Sequence, residues 1–557
     1  MSQQASTFLP RACLEHRARL WPRAALAGVL WLSVGLSLPM PTARGQSESP
    51  PPQGYDRLTL TLDAEWAGMY ASDLDGDGLM DLVVVEADHS TRNVRQWVRV
   101  FRQTSSGFLP FGQVRELPAG VALAGVGRFT SGDASVPGLA LLTAEGVSVW
   151  PWSAQGFLPA PGMTLVTPSV FAGRTHGLQK GVTWLVDLDG DGRHEMIIPK
   201  LDGLLVVRQG EGGGLHAHRL LRVPLFTQVL QWFRRQMAAL ELPEIRALQI
   251  NGRGWLDLVT YGEGELNVFL LHAETALSPQ LPDLRMDFQP PGPFDPLEPR
   301  DPPLMLVDAA DLNQDGRLDL VFSKNDAQDS QFNTKTRVLI HFGQPGPPGV
   351  PLSFSTTPDH AYATQGFTLP LLSDVNQDHR VDLVMVNAQV GFWSVVRALT
   401  ARSVYASAAL YPMSAEGRYP EQARDTGGYV VRFSLGRYSH RPFSAFGDFN
   451  GDGLPDLLLT RGKEELEVRW GRRDALWASD PDLVLQEPLP TQGTRLNVLD
   501  LNSDGRDDLI LTYDREDIRE LPKMNKRLRV LLSRGNPLQP TGRATALKAP
   551  RPPEVRP

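Results

Sequence analysis

Apolar residues along this chain gather in short, dense runs rather than in helical stripes. "LVVV" (82–85), "MIIP" (196–199), "LVFS" (320–323), "LVMV" (383–386), "LLLT" (457–460) and "LILT" (509–512) are each too short for a helix and lack polar alternation. Such runs read as strands buried on both faces. A second apolar segment, usually with a glycine beside it, follows most of them: "GLLVVRQG" (203–210), "ELNVFLLH" (265–272), "RVLIHFG" (337–343), "LEVRWG" (466–471) and "RVLLSRG" (529–535), with "GVSVWPW" (146–152) of the same kind. Several short strands per unit, without regular helices between them, predict an all-β chain of antiparallel blades set radially. One stretch reads differently. In 224–242, Leu225, Val229, Trp232, Phe233, Met237 and Leu240 fall near a 3.6-residue period with Gln231, Arg234 and Arg235 opposite, which predicts a helix packed over the blades.

Each of the six runs is entered from the same acidic loop: "DLDGDGLMD" (73–81), "DLDGDGRHE" (187–195), "DLNQDGRLD" (311–319), "DVNQDHRVD" (374–382), "DFNGDGLPD" (448–456) and "DLNSDGRDD" (500–508). The starts lie 114, 124, 63, 74 and 52 residues apart, and the first two intervals, about double the rest, predict a worn copy inside each. One copy is "QINGRGWLDLVTYG" (249–262), aligned on Gln249, Asn251, Arg253, Gly254 and Asp257, with the Arg253 guanidinium where a cation would sit. The other, "VGRFTSGDASVPGLALLT" (126–143), keeps the shape and lacks the ligands. Eight repeats predict eight four-stranded blades, with seven as the alternative count. "RLTLTLD" (57–63) is one strand too many before the first loop, and only two strands follow the last. Pairing the first segment with the last blade closes the ring and removes an exposed edge.

The loop spacing is coordination chemistry. Calcium takes six to eight oxygens at about 2.3–2.6 Å, supplied by side chains at loop positions 1, 3 and 5 and a backbone carbonyl at 7. Position 9 is near enough to add a carboxylate. The candidate ligands are therefore Asp73, Asp75, Asp77, Leu79 (carbonyl) and Asp81; Asp187, Asp189, Asp191, Arg193 (carbonyl) and Glu195; Asp311, Asn313, Asp315, Arg317 (carbonyl) and Asp319. In the other three loops they are Asp374, Asn376, Asp378, Arg380 (carbonyl) and Asp382; Asp448, Asn450, Asp452, Leu454 (carbonyl) and Asp456; Asp500, Asn502, Asp504, Arg506 (carbonyl) and Asp508. An EF-hand would add a glutamate at position 12, but that position holds Val84, Ile198, Phe322, Met385, Leu459 and Leu511. The loop feeds a strand, not a helix.

The motif D-x-[DN]-x-D-G-x-x-D-L followed by an apolar strand resembles the FG-GAP/VCBS repeat of integrin α headpiece propellers and of many exported bacterial proteins. The resemblance covers about 55–535. It implies a β-propeller with calcium in the loop between the first two strands of a blade, at up to six sites here. His379 stands where the family has glycine, which implies a weaker fourth site. Members are mostly adhesion or recognition modules, and similar calcium propellers include lectins and rhamnogalacturonan lyases.

Charge and termini sharpen the picture. Arg11, Arg17, Arg19 and Arg23 precede the apolar run "AALAGVLWLSVGLSL" (24–38), and Ala43-Arg44-Gly45 offers a cleavage point, so 1–45 reads as an export signal, with a membrane anchor as the alternative. No other long apolar stretch follows it. Its loss removes five Arg, one Glu and the only cysteine, Cys13, taking the net charge from −8 to −12. Six Ca²⁺ would bring the remainder near neutral, and nothing in the charge suggests a nucleic-acid partner. Without disulfides, metal is the available staple. Residues 46–54 read as a linker, 55–535 as the propeller and 536–557 as a Pro-rich disordered tail. Trp66, Trp150, Trp184, Trp255 and Trp470 read as core, while Trp393 is a candidate for stacking on a sugar. No catalytic signature such as H-E-x-x-H stands in 46–557. The expected function is an exported recognition or adhesion scaffold for an envelope or extracellular protein or glycan, with 287–303 and 387–432 as partner-specific excursions. The rival is a polysaccharide lyase on the same fold.

Overall fold

The fold is given by a computed structural model, which describes residues 54–534 except 91–93, 132–133, 160–162, 172–177, 180–181, 211, 225, 233–234, 251–253, 263, 272–279, 289–303, 328–333, 347–351, 389–402, 433–443, 474 and 492–494. Eight four-stranded antiparallel sheets form the blades of a propeller. Blade 1 runs Glu65–Ser72, Asp81–Asp88, Arg95–Thr104 and Gly107–Glu116; blade 2 runs Leu123–Ser131, Ala134–Leu142, Gly146–Ser153 and Thr164–Val166, with Gly156–Phe157 added to its third strand. Blade 3 is Leu185–Val186, Glu195–Lys200, Gly203–Gln209 and Leu215–Leu221; blade 4 is Glu244–Leu248, Asp257–Gly262, Glu265–Phe269 and Leu284–Asp287. Blades 5 and 6 are Met305–Ala310, Asp319–Ala327, Thr334–His341, His360–Gln365 and Phe367–Ser373, Asp382–Ala388, Ser403–Tyr411, Asp425–Arg432. Blade 7 is Ser444–Gly447, Asp456–Arg461, Glu465–Arg469 and Leu483–Gln486. Blade 8 joins Leu496–Leu499, Asp508–Leu511 and Arg527–Ser533 to Tyr55–Thr61, so the two ends of the chain share one sheet.

The doubly apolar second strands are explained by where their two faces go. Leu82 and Val84 enter the core between blades 8 and 1, while Val83 and Val85 enter the core between blades 1 and 2. Leu457 and Leu459 likewise face blade 6, and Leu458 faces blade 8. Each blade is thus sandwiched, and successive residues bury against different neighbours. The closing strand pairs in register from Tyr55↔Ser533 to Thr61↔Arg527. Its Leu60 and Leu62 are buried in the core between blades 8 and 1, and Tyr55 in that between blades 7 and 8.

Two sequence expectations fail. The segment expected as a helix at 224–242 is a two-stranded hairpin, Phe226–Trp232 paired with Arg235–Glu241. The first half, "FTQVLQW", is rich in β-branched and aromatic residues, and a short apolar stretch can satisfy either period; strand propensity prevails. The expected excursion at 387–432 is shorter than expected, because Ser403–Tyr411 and Asp425–Arg432 are the third and fourth strands of blade 6. Trp150, Trp184 and Trp255 are buried as expected, Trp66 and Trp470 are partly buried against the core, and Trp393 lies outside the described residues.

Antiparallel succession sorts the connections by face. Every acidic loop joins first strand to second, so all six sit at one end of their blades, together with the third-to-fourth connections. The second-to-third connections and those between blades emerge at the opposite end. The hairpin 226–241 and the chain leaving at Asp287, Ala388 and Arg432 therefore all depart from the face opposite the acids.

Candidate metal centres

All six loops fold alike, because each side chain is held by main-chain amides of its own turn. The position 1 carboxylate accepts from positions 4 and 6 in loop 73 (Gly76 N 2.7 Å, Gly78 N 3.1 Å) and from positions 5 and 6 in loop 311 (Asp315 N 3.1 Å, Gly316 N 2.9 Å). The position 3 oxygen accepts from the position 5 amide, as Asn376 does from Asp378 at 2.8 Å, and position 5 accepts from position 7, as Asp452 does from Leu454 at 2.8 Å. Position 6 needs a left-handed turn, supplied by Gly78, Gly192, Gly316, Gly453 and Gly505 at φ 79–86°. His379 adopts φ 69° in the fourth loop, a conformation that strains a residue bearing a Cβ.

Position 9 is different in kind. Asp81, Glu195, Asp319, Asp382, Asp456 and Asp508 are all buried, none more than 2% exposed. Five of them clasp two parts of the blade. One oxygen accepts the amide of position 2: Leu74, Leu312, Val375, Phe449 and Leu501 at 2.8–3.2 Å. The other accepts an amide at or just beyond the third strand's end: Gln103, Gly343, Met413, Gly471 and Ser533 at 2.6–2.9 Å. The glycines there answer a steric need, since a Cβ on Gly343 would lie 2.4 Å from the Leu318 carbonyl oxygen. Glu195 keeps the first of these bonds, from Leu188 at 2.8 Å.

The worn loop of blade 4 retains this clasp. Asp257, fully buried, accepts from Ile250 at 3.1 Å and Leu271 at 2.9 Å. Asn251 and Arg253 lie outside the described residues. In blade 2 the first two strands run in register from Leu123↔Leu142 to Ser131↔Ala134. The clasp is thus a folding element separable from the acids at 1, 3 and 5. Asp257→Ala is expected to lower stability by about 2–6 kcal/mol, since two buried amides lose their acceptor at about 1–3 kcal/mol each, and equally with or without calcium. Asp315→Ala, whose carboxylate accepts from exposed groups of its own turn, is expected to cost less than this without calcium and more with calcium present. Chemical denaturation of both variants in calcium and in chelator checks this contrast.

The donor set fits a hard cation. Asp73, Asp75 and Asp77, and separately Asp187, Asp189 and Glu195, can bring one oxygen each within 4.8 Å of one another. All donors are oxygens, with carboxylates predominant, as calcium requires. Burial pushes the position 9 acids up, aided by the neighbouring carboxylates, to about 7 for Glu195, Asp319 and Asp508, about 6 for Asp382 and about 8 for Asp456. A bound cation would oppose that shift. Arginines already lie against some of the acids: Arg208 on Asp189 at 2.9 Å, and the position 7 residues Arg317, Arg380 and Arg506 on their own position 5 acids at 3.0–3.2 Å. Among the described residues, three acids converge within 4.8 Å in the loops at 73 and 187 only; in the loops at 311, 374, 448 and 500 the expected residues share the same turn and its hydrogen bonds. What spacing did not reveal is the partner of position 9, a main-chain amide in the third strand or just past it, or a further set of caps. Asp283, Asp359 and Asp482 accept the amides of Leu270, Phe342 and Trp470 where the third strands end.

The family model for the FG-GAP-like repeat matches residues 448–511, spanning the acidic loops of blades 7 and 8. Among solved structures, an Agrocybe aegerita lectin that recognises non-reducing terminal N-acetylglucosamine is 15% identical, with 82% of this chain and 92% of that one covered at a TM-score of 0.36. The V. cholerae biofilm matrix protein Bap1 is 13% identical over 86% of this chain and 88% of its own, at 0.33. The rhamnogalacturonan lyase YesW is 10% identical over 85% and 90%, at 0.24. No curated protein matches. An FG-GAP-like repeat over 448–511 and eight blades closing the ring together fit an FG-GAP, integrin-alpha-like β-propeller.

Proposed function

We propose that this protein is an exported, calcium-stapled propeller that serves as a recognition or adhesion scaffold for an envelope or extracellular protein or glycan. The observation that carries the reading is the employment of the acids. In every full loop the position 1, 3 and 5 side chains already hold their own turn through main-chain amides, and position 9 ties loop to blade. The most strongly shifted carboxylates are thus holding groups. Bound calcium would supply the countercharge, with the remaining lone pairs of positions 1, 3, 5 and 9 and the carbonyls of Leu79, Arg193, Arg317, Arg380, Leu454 and Arg506 facing it. This leaves the opposite face, from which the hairpin 226–241 and the chain after Asp287, Ala388 and Arg432 depart, to present a surface. Among the described residues no helix is long and apolar enough to cross a membrane, and export rests on residues 1–45.

The test compares calcium-loaded wild type with variants in which 389–402 or 433–443 is replaced by a short Gly/Ser linker. Binding to a glycan array and to purified envelope fractions is expected to fall at least tenfold in a variant, with melting little changed. Sequencing of the secreted protein is expected to begin at Gln46. Sustained release of unsaturated products from pectic or other acidic polysaccharides, lost on a single point substitution, would replace this reading with the lyase.

A further inference from the structure

Five of the six acidic loops stand on consecutive blades, 5, 6, 7, 8 and 1, and each is bonded to the next around the ring. Gln314, at position 4 of the blade 5 loop, donates through Nε2 to the carbonyl of His379 in the blade 6 loop. Gln377 does the same from blade 6 to the Asp452 carbonyl in blade 7, at 3.0 Å, while Arg473 donates to its Oε1. Blades 7 and 8 are joined by a reciprocal pair: Asp448 N donates to the Asp507 carboxylate at 2.8 Å, and Asp507 N to the Asp448 carbonyl at 2.7 Å. Ser503 then donates through Oγ to the Gly78 carbonyl at 2.7 Å, carrying the belt across the chain closure into blade 1.

The bridging residues sit where a side chain is conformationally unwelcome. Gln314, Gln377 and Ser503 have φ of 62°, 61° and 56°, and the corresponding Gly76, Gly190 and Gly451 show the turn is open to glycine. Strain kept by three residues, each spending its side-chain donor on the adjacent loop, points to a role that glycine cannot fill. The accepted carbonyls belong to positions 5 and 6, between the position 5 carboxylate and the position 7 carbonyl. Fixing them fixes two of the next loop's oxygens.

We infer that Gln314, Gln377 and Ser503 are positioning residues that make the loops of blades 5, 6, 7, 8 and 1 fill with calcium as one cooperative array. This rests on the calcium reading above. A cation that orders one loop fixes its position 4 residue, which pre-orders the turn of the next, so the second ion meets a smaller ordering cost. The coupling is reciprocal and is carried by about one hydrogen bond per junction, worth roughly 2- to 10-fold in neighbouring affinity. The blade 3 loop stands apart. Its neighbour in blade 4 is the worn copy and blade 2 lacks the position 1, 3 and 5 ligands, so it fills independently.

The experiment is a calorimetric calcium titration of chelator-treated mature protein, paired with stopped-flow calcium release into a chelating dye from the loaded protein. Wild type is expected to bind with a Hill slope well above one for most of its ions, plus one independent site, and to release the array in a single slow phase. Gln314→Ala, Gln377→Ala and Ser503→Ala combined are expected to keep the number of ions, lower the slope to that of the one junction they leave intact, between blades 7 and 8, and split release into several phases. Gln377→Glu, which keeps the size but not the donor, is expected to behave like Gln377→Ala. If the chelated protein does not stay folded, the release experiment decides alone. Full calcium uptake with independent sites in wild type, or release kinetics unchanged in the triple variant, overturns the coupling and leaves the calcium reading intact. Absence of calcium uptake overturns both.

Discussion

Removing divalent cations is expected to lower the melting temperature of the mature protein by about 8 °C relative to calcium at ten times the dissociation constant. Extracellular-type oxygen sites bind at about 10⁻⁴–10⁻³ M. At that excess each site contributes RT ln 11, about 1.4 kcal/mol. Six sites taken separately contribute about 8 kcal/mol, comparable with the whole stability of an ordinary domain, about 5–15 kcal/mol. With an unfolding entropy of about 2.1 cal/mol/K per residue, a propeller of this size has about 1 kcal/mol/K, which gives the shift in temperature. Differential scanning calorimetry across a calcium series checks it. The dependence should follow the logarithm of calcium, and magnesium, which demands a tighter octahedron and holds its waters, should substitute poorly. A melting temperature indifferent to chelator would remove metal from the account of stability.

Deleting residues 55–63 is expected to be the most damaging short truncation, costing on the order of 6 kcal/mol or more, while deleting 538–557 should cost almost nothing. The first deletion removes a strand registered along the whole of Arg527–Ser533. It also removes the buried Tyr55, Leu60 and Leu62, each worth about 1.5–3 kcal/mol. It further exposes a sheet edge. An ion cluster reports on the same seam. Glu487, 2% exposed, follows the last strand of blade 7 and is met by Arg57 from the closing strand and by Arg529 at 3.1 Å from its partner. Burial raises the Glu487 carboxyl against the pull of the two arginines. Glu487→Ala would remove the shared carboxylate while Arg57 keeps the Gln486 carbonyl and Arg529 the Thr59 hydroxyl, and is expected to cost about 1–3 kcal/mol. Urea unfolding of the two truncations and the point variant gives the ranking; equal tolerance of the truncations would defeat the closure.

What was readable in the sequence was readable because spacing encoded it. Three acids or amides at alternate positions, then a glycine, then an apolar run, describe a turn and a doubly buried strand within thirteen residues, so local order fixes both. Closure was legible from an unpaired strand of alternating leucines at one end and a missing strand at the other. The third and fourth strands of blade 6 were not. "SVYASAALY" is built of small residues and has no acidic loop before it, so nothing local separates it from an excursion. The position 9 clasp was invisible for another reason: Asp456 is named by its loop, but its second partner, the amide of Gly471, stands fifteen residues on in space that only the folded blade creates. The segment 226–241 carried both periods at once, and strand propensity in its first half prevailed.

The most direct measurement of the central claim is anomalous scattering from crystals of the mature protein grown in calcium. Six peaks are expected, one within about 2.3–2.6 Å of the oxygens of each full loop, and none at the blade 2 turn or beside Asp257 in blade 4. Well-ordered loops at 73, 187, 311, 374, 448 and 500 without anomalous density, at calcium well above the millimolar range, would contradict it.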